Sequence, residues 1–176
     1  MTLEALLTSH RTSVLTEERF RMVVRRKFLF EDTLHSLRNG LDLSKRLRVT
    51  FVGEPAIDDG GPMREYLRLL LGTVISNNSL FCGDINSRYL QHNIIELNKK
   101  TYYHVGQILS MSLLHGGPVP SFFAHPIADY IVHGIEKVKV GITDVQDVIM
   151  KRKLQKVSIV NAIYLEILVG IKFDNS

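Results

Sequence analysis

The stretch Arg48-Val49-Thr50-Phe51-Val52-Gly53-Glu54-Pro55-Ala56-Ile57-Asp58-Asp59-Gly60-Gly61-Pro62-Met63-Arg64-Glu65-Tyr66 changes its periodicity midway. Leu47, Val49 and Phe51 alternate with Arg48 and Thr50, the pattern of a strand with one face buried. Residues 53–61 carry three carboxylates and three glycines and read as a loop. Pro62 suits the first turn of a helix, where its missing N–H costs nothing. Met63, Tyr66, Leu67, Leu70 and Val74 then recur at helical spacing as a buried stripe. A loop between strand and helix is also where phosphate loops sit. Here no Gly-Lys-Ser/Thr follows, and the carboxylates would repel a phosphate. An internal role is expected instead: a clamp of Glu54, Asp58, Gly60, Gly61, Arg64 and Glu65. Asp58 or Asp59 would accept from the N–H groups that open the helix, the glycines would allow a tight turn, and Arg64 would fork onto Glu54 or an Asp. A catalytic acid pair is the alternative.

Working outward, Phe20–Val24 is β-prone. Phe30, Leu34 and Leu37 predict a helix over Phe28–Asn39, stopped by Gly40 and closed by Leu41 in a Schellman ending. Leu80 and Phe81 suit a short strand. Thr101 is expected to cap a helix to Leu114 that is apolar nearly all round and therefore central, with Gly116, Gly117 and Pro118 stopping it. Pro126 starts another helix, ended by Gly134. Thr143 with Gln146 predicts a capping box opening a helix to about Lys156. The expected fold is α+β and mainly helical, with five to six helices and two or three short strands.

The chain has 176 residues, 45% of them hydrophobic, with a single cysteine. That is enough apolar content for a packed core and too few thiols for a disulfide framework or a multi-cysteine zinc site. No targeting segment or membrane span is expected, and a reducing cytoplasmic or nuclear compartment is the default. Residues 1–50 hold 10 Lys/Arg against 6 Asp/Glu, which accounts for the whole net charge of +4. A basic third suits acidic partners or phosphates; a solvated face accounts for it equally simply and is the preferred reading.

The motif at 48–66, in the order strand, Phe, Gly-Glu, a spaced Asp, Gly-Gly, Arg-Glu and an aromatic, resembles the early signature of the HECT domain of ubiquitin ligases. Arg25-Arg26 with Phe30-Glu31-Asp32 looks like the helix preceding it there, and Tyr102-Tyr103-His104-Val105-Gly106-Gln107 is similar to that family's central helix. Within the family the chain is most like the divergent animal branch typified by the G2/M-phase-specific ubiquitin ligase. The resemblance covers about residues 20–155 and implies the first part of the N-terminal lobe. It yields a division into an N-terminal extension (1–19), a partial HECT N-lobe-like domain (20–156) and an apolar C-terminal tail (157–176). The tail is either a closing helix or a stretch left exposed.

The resemblance implies transfer of ubiquitin to substrate lysines through a cysteine in a C-terminal lobe. Cys82 lies far upstream of that position, so no catalytic residue is assigned and the chain is expected to be inactive alone. The alternative is a non-catalytic protein-interaction scaffold built on the same lobe. His115, His125 and His133 lack metal-ligand spacing, and His104 is expected to be a hydrogen-bonded core or edge residue. Arg25-Arg26-Lys27 and Lys151-Arg152-Lys153 lack the stacking aromatics of nucleic-acid binders; Lys151 is expected to pair with Asp147. Ubiquitin-pathway proteins are the expected partners, with no nucleic acid, membrane, metal, cofactor or small-molecule ligand.

Overall fold

The structure, a computed structural model, describes residues 2–54 and 60–173, and the backbone alone for residue 3 and for 161–173. These residues form an α+β, mainly helical fold with seven α-helices and two two-stranded sheets. They divide into two compact units, Met1–Phe123 and Ala124–Ser176.

The first unit opens with α1 (Leu3–Val14), capped by Thr2, whose Oγ1 accepts from the Ala5 N–H at 3.2 Å. The stretch read as an extension is thus helical, and Arg11 Nε donates to the Leu113 carbonyl at 2.9 Å. Strand β1 (Arg19–Val24) pairs in parallel with β2 (Arg46–Phe51). The register puts Met22 beside Val49 and Val24 beside Phe51, all four buried on one face. Parallel pairing needs a crossover, which a 3-10 turn (Arg26–Phe28) and α2 (Leu29–Arg38) supply. Gly40, at φ 81°, ends α2 as expected. The Leu41 N–H bonds the Ser36 carbonyl and the Gly40 N–H bonds that of Leu37, the two bonds of a Schellman motif, and Leu41 is buried.

Helix α3 (Gly61–Ile75) buries Tyr66, Leu67, Leu70, Leu71 and Val74, matching the expected stripe, with Met63 partly buried against the core. It packs on β2, α2 and α5 (Thr101–Leu114). Between them lie a hairpin of β3 (Phe81–Asp84) and β4 (Ser87–Leu90) and the short α4 (Ile94–Asn98), capped by Asn93. Strand β4, α1 and α4 raise the element count above that expected. Thr101 is not the cap of α5. Lys100 takes that place in left-handed conformation (φ 57°), and the buried Thr101 hydroxyl donates to Glu96 Oε2 at 2.7 Å. Past α5, a Cβ on Gly117 would lie 2.5 Å from Ser112 Oγ, so this turn accepts glycine alone without a shift.

In the second unit, α6 (His125–His133) starts around Pro126 and stops at Gly134 as predicted. The expected capping box at Thr143 is replaced. Residues Ile142–Asp144 make a 3-10 turn, and α7 (Val148–Phe173) opens where Asp147 Oδ1 accepts from the Met150 N–H at 2.7 Å. Asp147 is thereby occupied, and Lys151 Nζ donates to the Thr143 carbonyl instead of pairing with it. Residues 157–160 continue this helix with Val157, Ile159 and Val160 exposed. No helix among the described residues is long and apolar enough to cross a membrane.

Candidate functional site

The motif residues meet at the corner where β1, β2 and α3 converge. Arg26, in the turn after β1, reaches Glu54 just beyond β2 and Glu65 in the first turns of α3. Its Nη2 lies 2.8 Å from Glu54 Oε2, its Nη1 lies 2.8 Å from Glu65 Oε1, and its Nε also bonds Glu54. The guanidinium sits 4.0 Å from the centre of the buried Phe51 ring. The neighbouring Arg25 forks onto Asp32 of α2 at 2.5 and 3.1 Å, and its backbone N–H adds a third bond at 2.8 Å. One dipeptide therefore ties the end of β1 to α2, to the end of β2 and to α3.

This differs from the expected clamp in its cation. Arg64 and Glu65 are successive residues of a helix and so lie about 100° apart around its axis. With Glu65 turned toward Arg26, Arg64 turns away, is exposed, and makes no ion pair among the described residues. Glu54 and Glu65 are brought together, but about 40% exposed rather than buried. Gly60 sits at the N-cap of α3 with φ −117°, which any residue adopts; the left-handed glycine of this corner is Gly53, at φ 80°. Asp58 and Asp59 lie outside the described residues. The one sign in the sequence of the true cation is the Arg25-Arg26-Lys27 cluster, whose partners stand far along the chain.

The electrostatics favour a structural role for these carboxylates over acid–base work. Hydrogen bonds from Arg26 hold the Glu54 and Glu65 carboxyls below the usual range, and Arg25 does the same to Asp32. A general acid or base serving near neutrality needs a shift in the other direction. The linkage has a definite sign. Depressed folded values stabilise the fold fully above the ordinary Glu value of about 4.3, and the contribution disappears as pH falls through the lower folded values. In urea titrations from pH 7 to 3, the parent midpoint falls as these groups protonate. Arg26→Gln starts lower at pH 7 and changes less across the acid range. Parallel curves for the two proteins would exclude Arg26 as the linked cation.

Cys82, on β3, is half-buried, with its sulfur 3.8 Å from the Tyr89 carbonyl oxygen and 4.0 Å from that of Leu90. Two carbonyl oxygens are the opposite of the cation or helix N-terminus that activates a thiol. His104 is buried in α5, with Nδ1 2.8 Å from Gln107 Oε1, as a core histidine should be.

The clearest residue missed in the sequence is Arg88. It is 7% exposed, and its guanidinium donates to the Ile75 carbonyl at 3.1 Å and the Gly83 carbonyl at 2.7 Å. It thereby caps the C-terminus of α3 and closes the β3–β4 hairpin.

No family model matches the chain. Curated relatives do. The G2/M phase-specific E3 ubiquitin-protein ligase of Homo sapiens is 31% identical over 131 residues, 72% of this chain and 18% of that protein. A probable E3 ubiquitin-protein ligase of Schizosaccharomyces pombe is 36% identical over 116 residues, 64% of this chain and 14% of its own length. An E3 ubiquitin-protein ligase of Arabidopsis thaliana is 30% identical over 136 residues, 67% of this chain and 4% of its own. The chain thus spans less than a fifth of each of these relatives. Over the matched stretch the chain is similar to HECT-domain E3 ubiquitin-protein ligases, and its partial coverage of them fits a fragment of that family.

Proposed function

We propose that this chain supplies the opening part of a HECT N-terminal lobe, a scaffold for ubiquitin transfer whose chemistry resides outside these 176 residues. The observation that carries this reading is the role of the motif residues. Arg25, Arg26, Asp32, Glu54 and Glu65 are used up in holding two strands and two helices together, and none is poised for proton transfer. The remaining candidate nucleophile, Cys82, faces carbonyl oxygens. The partners of this reading are the proteins of the ubiquitin pathway.

The test is incubation with activating enzyme, conjugating enzyme and ubiquitin, resolved on a non-reducing gel. The expected result is no thiol-sensitive ubiquitin adduct on this polypeptide. An adduct that disappears in Cys82→Ser would overturn the reading.

A second reading, a non-catalytic interaction scaffold derived from the same lobe, is favoured by α4, whose Ile94, Ile95 and Leu97 are all exposed. It predicts partner binding without ubiquitin transfer in any longer form of the protein.

A further inference from the structure

The outer face of the β1–β2 pair is basic, since the register sets Arg19 beside Arg46 and Arg21 beside Arg48. Strands stand about 4.8 Å apart, so these are close like-charge neighbours. At the start of these strands a surface cavity of about 610 Å³ opens. Arg11 of α1, Arg19, Arg46, Arg48, Arg64 of α3 and His115 at the end of α5 all line it. No Asp or Glu is among its described lining residues. Two further features give it the character of an anion site. The N-terminal turn of α3 forms part of its wall through Gly60, Met63 and Arg64, adding the positive end of a helix dipole. The field is felt inside: burial, then Arg46 and Arg11, push the His115 imidazole below its ordinary range.

From this convergence we infer that the cavity binds a small molecule carrying two or more adjacent phosphate groups. The arginines divide the work. Arg46 is partnered by Glu17 at 2.9 Å, and Arg19 and Arg48 also have contacts of their own, so these three line the cavity without being assigned as ligands. Arg11 uses its Nε on the Leu113 carbonyl, which fixes the side chain while its two terminal nitrogens remain for a ligand. Arg64 is exposed at the rim and makes no ion pair among the described residues. Guanidinium groups bind phosphate oxygens bidentately, and several around one small cavity favour closely spaced charges over the separated carboxylates of a peptide. The linear sequence carries no phosphate-binding motif because the basic lining residues come from five elements, as far apart as Arg11 and His115.

The test is isothermal titration of the full chain with tripolyphosphate and, separately, with inositol hexakisphosphate, at low and at physiological salt. Saturable binding of either probe at one site, weakening with salt, is expected; which of them binds better distinguishes a linear from a ring-borne ligand. Arg11→Gln with Arg64→Gln should weaken binding by about tenfold or more. Lys27→Gln with Arg38→Gln, which removes the same charge away from the cavity, should leave it within about twofold. Arg64→Gln alone, at an exposed position, keeps the test valid if Arg11→Gln loosens α1. Absence of binding, equal loss in the two double variants, or tighter binding of a polyglutamate peptide of matched charge would each overturn the proposal.

Discussion

Replacing Tyr66 with alanine is expected to cost about 3–5 kcal/mol, the range for emptying a buried aromatic site. This is a large part of the 5–15 kcal/mol that typically holds a domain together. Tyr66 has no exposed surface, and α2, β2 and α5 all pack around its helix. Its hydroxyl lies 2.7 Å from Thr33 Oγ1, which itself donates to the Leu29 carbonyl at 2.6 Å. The Thr33 proton is therefore committed, and Tyr66 is the donor to Thr33. Tyr66→Phe removes one hydrogen bond while Thr33 keeps its other, so its cost should be about 1 kcal/mol. Equilibrium urea unfolding of the pair checks this; equal losses would place the stabilisation in the hydroxyl rather than the ring. Burial also pushes the Tyr66 phenol well above its ordinary value. A raised folded value means that stability is complete below the unfolded value of about 10 and is lost as pH rises past it. The parent should lose stability in alkali above about pH 10 more steeply than Tyr66→Phe.

Arg88→Met should come next. The methionine fills much of the arginine's volume but leaves the Ile75 and Gly83 carbonyls without their donor in a site that water does not reach freely. At about 1–3 kcal/mol for each of the two stranded carbonyls, the loss is roughly 2–6 kcal/mol. Arg88→Lys keeps the charge beside the helix terminus but cannot reproduce the fork, so it should recover only part of the loss. The backbone bond from the Arg88 N–H to the Phe122 carbonyl, at 2.8 Å, survives both changes. That leaves the guanidinium as the variable being measured. An Arg88→Met protein with the parent's urea midpoint would show that solvent takes over both carbonyls.

What could be read from the sequence was local. The Schellman ending at Gly40, the strand at Leu47–Phe51 and the stripe of α3 are each decided by residues within a turn or two of one another, and each appears in the structure. The family resemblance was legible for a related reason, because the motif is compact in sequence. The clamp was not. Its carboxylates were visible, but Arg64 stood close by while Arg26 lies 28 residues before Glu54 and 39 before Glu65. Proximity along the chain pointed to Arg64 as the partner of Glu54, where the structure places Arg26, and the angle between successive helical residues turns Glu65 rather than Arg64 toward that corner. The start of α7 shows the same competition at short range. Thr143 and Gln146 have the spacing of a capping box, yet Asp147, with its own acceptor oxygen, takes the helix one turn later. Arg88 had no local signal at all, since an arginine in a four-residue strand reads as surface.

The Arg26 clamp also bears on the order of assembly. The β1–α2–β2 segment is complete by Phe51, and its pairings close within 27 residues, Arg19 with Arg46 through Val24 with Phe51. Glu65 arrives only with α3. Arg26 therefore closes its second carboxylate after the parallel pair and its crossover helix can already be in place. Interactions completed late in folding act mainly on the rate of opening. The residues that make this stretch recognisable as a motif are thus placed as a latch, and Arg26→Gln is expected to raise the unfolding rate more than it lowers the folding rate in stopped-flow measurements.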